Sequence, residues 1–180
     1  MRVGNLTGRY EDGHFQKNIE ENAFYHILLL ILKYRMIPEG MLSQTLEFTP
    51  VDLCSQAIIK LLWHTNEAQR VYHVFNPNYI SVKELLEILE NLGYNINVKK
   101  VEEFNAEMME KVQQDTNILK GVVNDLDTKE GLSYHLTIEQ KNEKTNEYLS
   151  KLGFNWPKIE KEYIAKILNY IKENKIGENT

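Results

Sequence analysis

An α/β fold is the expectation for this chain, and three observations carry it. Short stretches rich in β-branched and aromatic residues alternate with stretches whose apolar residues recur at helical spacing. The helical stretches open and close on recognisable cap chemistry. The last third carries two helical stretches with no strand between them. Three or so short strands with helices, followed by a two-helix C-terminal tail, are therefore predicted.

The chain starts as a loop. Gly4, Asn5, Gly8, Asp12 and Gly13 give residues 1–16 turn chemistry with little apolar content. A helix is predicted over residues 18–33. Its second half, from Ala23 through Phe24 and Ile27 to Leu32, is apolar on all sides, which calls for burial in a larger body. An α/β domain normally buries such a helix against strands that come earlier in the chain. That order leads us to expect preceding strands outside this sequence. Pro38 and Gly40 end the helical region, and Leu46 and Phe48 alternate with Thr45, Glu47 and Thr49 as a short strand does.

Thr49-Pro50-Val51-Asp52 predicts the next helix start, with Thr49 as N-cap, Pro50 at the first helical position and an acid near the positive end of the helix dipole. Val51, Cys54, Ala57, Ile58, Leu61 and Leu62 then share one face up to His64. Residues 71–75 form a second strand, closed by Asn76-Pro77-Asn78. Ser81-Val82-Lys83-Glu84 is a capping box, followed by Leu85, Ile88, Leu89 and Leu92 on one face and Gly93 at the C-cap. A third strand is expected over residues 95–101, a helix over 104–113, and a helical turn plus loop over 115–133. Helices over 142–152 and 159–173 complete the chain, joined by Gly153-Phe154-Asn155-Trp156-Pro157, with Phe154 and Trp156 expected to wedge the two together.

Composition narrows the function. Apolar residues at 42% and charged residues at 26% suit an ordinary globular domain, and a net charge of -5 argues against nucleic acid as partner. The longest apolar run, from Ile27 to Leu32, is far short of the roughly 20 residues of a membrane span. There is no signal-peptide core at the N-terminus, and Cys54 is a lone cysteine without a disulfide partner, so a cytoplasmic location is expected. No Cys/His cluster has metal spacing, and no metal is expected.

The stretch Arg2-Val3-Gly4-Asn5-Leu6-Thr7-Gly8-Arg9, with Asp12-Gly13-His14-Phe15-Gln16-Lys17-Asn18 and Asn22-Ala23-Phe24-Tyr25 after it, resembles a recurring stretch of thioester reductase domains. These end many nonribosomal peptide synthetases and belong to the extended short-chain dehydrogenase/reductases. Leu46 to Asp52 is similar to the family's later strand-to-helix turn, Tyr72 to Pro77 to its next strand and turn, and Gly153 to Pro157 to its C-terminal signature. Val3 departs from the pattern, where the family has proline. The resemblance covers nearly the whole chain. It implies the C-terminal, substrate-binding portion of an extended Rossmann-type reductase: residues 1–16 a loop at the edge of a Rossmann half, 17–138 an α/β substrate subdomain, 139–180 a helical pair. It also implies NADPH in the intact parent. The activity implied is hydride transfer to a thioester on the phosphopantetheine arm of a peptidyl or acyl carrier protein, releasing an aldehyde or alcohol.

On the same resemblance, Arg2, Val3 and Gly4 are expected to make edge contacts with the cofactor. Asn5, Arg9, Gln16, Asn18 and Asn22 are expected to line the substrate pocket, with Asn18 and Asn22 on one helix face. No catalytic residue is assigned. A dinucleotide glycine fingerprint is missing, since Gly4, Gly8 and Gly13 have the wrong spacing, and His14 stands where a phosphate-binding loop needs lysine. The only Tyr and Lys at the family's catalytic spacing, Tyr79 and Lys83, are separated by the cap residue Ser81. Alone, the chain is thus expected to be inactive and to bind no cofactor, with a Rossmann half as its partner. An apolar helix left uncovered without that half would favour self-association. Cys54 and His26 read as core residues, and Met108 and Met109 as core before substrate contact. The rivals are part of a nucleotide-sugar epimerase or dehydratase, and a non-enzymatic carrier-protein interaction module.

Overall fold

The computed structural model describes residues 1–19, 22–64, 71–114, 126–127, 131–132 and 141–174. In chain order these are β1 (Arg2–Val3), β2 (Leu6–Thr7), α1 (Ala23–Tyr34), β3 (Met36–Pro38), β4 (Thr45–Leu46), β5 (Thr49–Pro50) and α2 (Val51–His64). Next come β6 (His73–Val74), β7 (Ile80–Ser81), α3 (Val82–Asn91), β8 (Asn97–Lys99) and α4 (Val101–Gln114). The last are β9 (Leu126–Asp127), β10 (Gly131–Leu132), α5 (Glu143–Lys151) and α6 (Lys161–Glu173). The α/β class is the one predicted. The chain divides into two compact units, one of Met1–Phe15, Leu46–Ile80 and Leu136–Tyr170, the other of Gln16–Thr45, Ser81–His135 and Ile171–Thr180.

In the first unit β1 runs parallel to β6, with Arg2 opposite His73 and Val3 opposite Val74. β2 runs parallel to β5, with Leu6 opposite Thr49. Parallel partners cannot be joined by a tight turn, and both pairs bring the N-terminal segment against strands far along the chain, with α2 following β5 and leading on to β6. The buried stripe of α2, Cys54, Ala57 and Leu61, packs with Tyr72, Val74, Leu149, Phe154 and Trp156 into one core. Phe154 and Trp156 meet edge to face, 5.1 Å apart, and the Trp156 indole N–H donates to Asn146 Oδ1 at 3.1 Å. The expected wedge is real but placed differently: these rings join α2 and the strands to α5, and α6 contributes nothing to that cluster. Asn76, Asn78 and Asn142 fasten the neighbouring turns, Asn76 and Asn78 to the Pro157 carbonyl and Asn142 to the Phe75 carbonyl.

In the second unit β3 runs parallel to β8 with Ile37 opposite Val98. α1 and α4 lie against β3. α1 buries Phe24, Tyr25 and Leu28 to Ile31, so the helix expected to be left uncovered is packed. The large exposed apolar side chains of helices sit elsewhere, chiefly Ile59, Leu62 and Trp63 on α2. His26 is half-buried rather than buried. On α4, Phe104 and Met108 are buried and Met109 is exposed.

Several boundaries moved. α1 begins at Ala23, not at residue 18, because Asn22 Oδ1 accepts the Tyr25 N–H at 3.2 Å and caps the helix there. Asn18 lies on a turn ahead of it, so the two asparagines do not share a helix face. Thr49 is not the cap of α2. It belongs to β5, and its hydroxyl donates to Glu47 Oε1 and accepts from the Asn76 N–H. Residues 126–127 and 131–132 pair as antiparallel strands where a helical turn and loop were expected. The rest of 115–133 lies outside the described residues.

Candidate functional site

The segment from Arg2 to Phe15 of the first unit has little regular structure of its own, and its shape comes from side chains far away in sequence. The extended backbone of β1 is tied down by the Arg2 N–H to the Tyr72 carbonyl at 2.8 Å and the Gly4 N–H to the Val74 carbonyl at 3.3 Å. Next comes a buried carboxylate. Glu47, only 3% exposed, accepts the Asn5 N–H at 2.9 Å and the Thr49 hydroxyl at 2.5 Å, both on Oε1. Gly4 is glycine for that reason: a Cβ there would stand 1.9 Å from Glu47 Oε1. Burial pushes the Glu47 carboxyl above its ordinary 4.5, although its two hydrogen bonds pull the other way. The Asn5 side-chain Nδ2 is buried and meets no acceptor among the described residues.

Beyond Asn5 the segment turns. The Tyr163 hydroxyl lies 2.6 Å from the Gly8 carbonyl and 2.7 Å from Thr7 Oγ1. A phenol has one proton, and a carbonyl can only accept, so Tyr163 donates to Gly8 and Thr7 donates to Tyr163. Gly8 and Gly13 approach so closely that a Cβ on Gly8 would lie 2.3 Å from the Gly13 carbonyl oxygen. The Arg9 N–H donates to the His14 carbonyl at 2.9 Å and the Gly13 N–H to the Arg9 carbonyl at 2.8 Å. Packing thus accounts for the glycine spacing that imitates a phosphate loop. From α2, Asp52 accepts the N–H groups of Tyr10 at 2.9 Å and Glu11 at 3.3 Å.

The residues singled out in the sequence are spread over both units. Arg2 and Val3 are exposed on β1, and Gly4 and Asn5 are half-buried against Glu47. Arg9 is exposed and paired with Asp12. That hydrogen-bonded guanidinium holds the Asp12 carboxyl down at about 2. Gln16 and Asn18 are exposed and Asn22 is the N-cap of α1, all three in the second unit. Only Arg2 to Arg9 are therefore brought together in one unit. Cys54 is buried, with its thiol pushed up to about 11 by burial and by the charge of Glu47, which makes it a poor nucleophile. Burial and the charge of Glu47 likewise raise the Tyr79 phenol, opposite to what a proton donor activated by lysine needs. Tyr79 also precedes the cap of α3, on which Lys83 sits.

Sequence reasoning missed Glu47, Tyr163 and Lys166. A glutamate between the apolar Leu46 and Phe48, and a Tyr–Lys–Tyr spacing of three and four along α6, were the signals available. Glu47 yields a pH prediction. Its folded pKa is raised, so its contribution to stability is complete below 4.5 and is lost as pH rises through the folded value. Glu47→Gln, which keeps an oxygen acceptor, removes that decline, and the stability difference from wild type should grow in its favour with pH. Urea midpoints between pH 4 and 8 measure this; parallel pH profiles would contradict it. Glu47→Ala leaves two buried donors without their acceptor and should cost about 2–4 kcal/mol.

No protein-family model matches the chain. It is 26% identical over 172 residues to a linear gramicidin synthase subunit of Brevibacillus parabrevis, covering 94% of this chain and 3% of that protein. Among solved structures, a thiolation-reductase di-domain from an archaeal non-ribosomal peptide synthetase superposes with a TM-score of 0.80 at 31% identity, over 98% of this chain and 36% of that one. The reductase domain of an aureusimine biosynthetic cluster superposes with a TM-score of 0.73 at 27% identity, over 96% of this chain and 44% of that one. The chain therefore spans less than half the length of the proteins it matches.

Proposed function

We propose, from the premise that this chain is similar in sequence and fold to the C-terminal part of the reductase domains of nonribosomal peptide synthetases, that it forms the substrate side of an NADPH-dependent thioester reductase. The observation that carries the proposal is the Asn5 amide. It is a buried N–H donor that meets no acceptor among the described residues, in the segment that bears the family resemblance. Buried donors are nearly always paired, so this one calls for an acceptor that the described residues do not supply, and a ligand carbonyl reaching it as the segment opens is our reading. Arg2, Val3 and Gly4 would hold the edge of NADPH, which would supply the hydride for reductive release as aldehyde or alcohol.

The chain's own residues bind and orient. Asn5 donates to a carbonyl of the bound thioester or its phosphopantetheine arm. Arg9, exposed beside Asp12, is the charged side chain of this segment open to an entering arm. Neither of them moves a proton in this scheme, and the acid belongs to the remaining half of the reductase. The partners are that half and a peptidyl or acyl carrier protein, in the cytoplasm. No helix among the described residues is long and apolar enough to cross a membrane.

Positioning hydrogen bonds of this kind contribute roughly 0.5–3 kcal/mol, so Asn5→Ala or Arg9→Ala in the intact reductase should lower kcat/KM for the carrier-bound thioester by about 2- to 150-fold. The dissociation constant for NADPH should stay unchanged. Equal losses in both would mark these side chains as structural, and no loss in either would place the pocket elsewhere.

A further inference from the structure

We propose that Tyr163 is a positioning residue for the candidate site, and that α6 acts as a clamp setting the shape of the segment from Thr7 to Phe15. This rests on the site serving thioester reduction as set out above. The geometry lies on one face of α6. Tyr163, Lys166 and Tyr170 are three and four residues apart, so they stack along one side of the helix. Each takes a backbone carbonyl of the segment: Tyr163 that of Gly8 at 2.6 Å, Lys166 that of Tyr10 at 3.0 Å, and Tyr170 that of Phe15 at 2.8 Å. Rings reinforce the contact. Tyr163 lies 5.2 Å from the Tyr10 ring, Lys166 stands over the Tyr10 ring at 5.5 Å, and Tyr170 lies 5.1 Å from the His14 ring.

Backbone touches backbone as well, since a Cβ on Gly13 would lie 2.4 Å from the Lys166 carbonyl carbon. The opposite polarity of the segment, the N–H groups of Tyr10 and Glu11, goes to Asp52 on α2. Carbonyls to one helix and amides to another tie the segment down from two sides. β2 is only two residues long, so strand pairing alone does not fix the residues after it.

Tyr163 is the member whose role can be separated from the core. Its ring is buried, facing Phe48 edge to face at 6.4 Å, and phenylalanine keeps that packing. Tyr163→Phe removes only the oxygen, and with it the hydrogen bonds to the Gly8 carbonyl and the Thr7 hydroxyl. The segment should then open more often, with no change in the rest of the fold, and Asn5 and Arg9 beside it should lose their settings. Thr7→Val breaks the same chain of hydrogen bonds from the other side, whereas Thr7→Ser preserves it.

The test has two arms. In the chain itself, amide exchange at Arg9 and Gly13 should quicken roughly 10- to 100-fold in Tyr163→Phe, with α3 and α4 unaffected. Thr7→Val should do the same, Thr7→Ser should not, and the double variant Thr7→Val/Tyr163→Phe should exceed neither single by much. Unchanged exchange in Tyr163→Phe, or quickening spread equally over α3 and α4, overturns the clamp. In the intact reductase, Tyr163→Phe should lower kcat/KM for carrier-bound thioester and leave NADPH affinity alone. A variant that exchanges faster yet reduces thioester at the wild-type kcat/KM overturns the positioning role. A wild-type enzyme that reduces no thioester at all overturns the assignment of the site, which the exchange arm does not depend on.

Discussion

Trp156→Ala is expected to destabilise the fold by about 3–5 kcal/mol, the usual cost of truncating a large buried aromatic. The indole packs into a cluster drawn from α2, β6 and α5, and its N–H is satisfied by Asn146. Its removal leaves a cavity between elements that reach it from three parts of the chain, and repacking is limited because Cys54, Ala57 and Leu61 are already fixed by α2. A domain of this size has about 5–15 kcal/mol in total, so the variant should be marginal. Urea unfolding followed by far-UV circular dichroism reads the shift in midpoint. A loss below about 1 kcal/mol would mean that the cluster relaxes around the missing ring.

Gly13→Ala is the second large effect. At φ +79 the backbone is left-handed, which an L side chain adopts at a cost of roughly 1–2 kcal/mol. The added methyl would also meet the backbone of Lys166 and Ile167, at 2.4 to 2.8 Å, which no side-chain movement relieves. Overpacking of that kind adds about 1–3 kcal/mol, for about 2–5 kcal/mol together. Gly93→Ala is the control. Its φ of +86 carries the same conformational cost, but a Cβ there meets nothing within 4 Å, so its loss should be near the conformational part alone. Equal losses at both positions would show that the α6 contact is not tight.

The helices were legible in the sequence because their determinants are local. Ser81 and Glu84 make the capping box their spacing predicts: the Ser81 N–H donates to Glu84 Oε2 at 2.8 Å, and the Glu84 N–H to Ser81 Oγ at 3.2 Å. Gly93 and Gly153 sit in the left-handed conformation at helix ends. Starts failed where a long-range contact overrode a local cap. Thr49 had the right neighbours for an N-cap, but Glu47 and Asn76 take its hydroxyl. Asn22 had no acid three residues on, yet caps α1.

The site was legible only in part, for the same reason. Asn5 and Gly4 stood out through a motif along the chain, and the structure gives them a shared cause, the buried carboxylate of Glu47. Nothing local announced that cause: Asn5 and Glu47 are 42 residues apart, and Thr7 and Tyr163 are 156 apart. On α6, nothing along the chain marks Lys166 as a long-range contact, yet it reaches the carbonyl of Tyr10, 156 residues away.

The most direct measurement joins this chain to the N-terminal part of the archaeal thiolation-reductase di-domain, in place of the C-terminal part it resembles, and follows NADPH oxidation with an acyl thioester on the carrier. The account predicts that the joined protein oxidises NADPH only when the thioester is present, that aldehyde or alcohol is released in proportion, and that this chain alone neither binds NADPH at micromolar concentration nor consumes it. A joined protein that folds and binds NADPH, yet reduces no carrier-bound thioester, would contradict it, as would steady NADPH turnover by this chain alone.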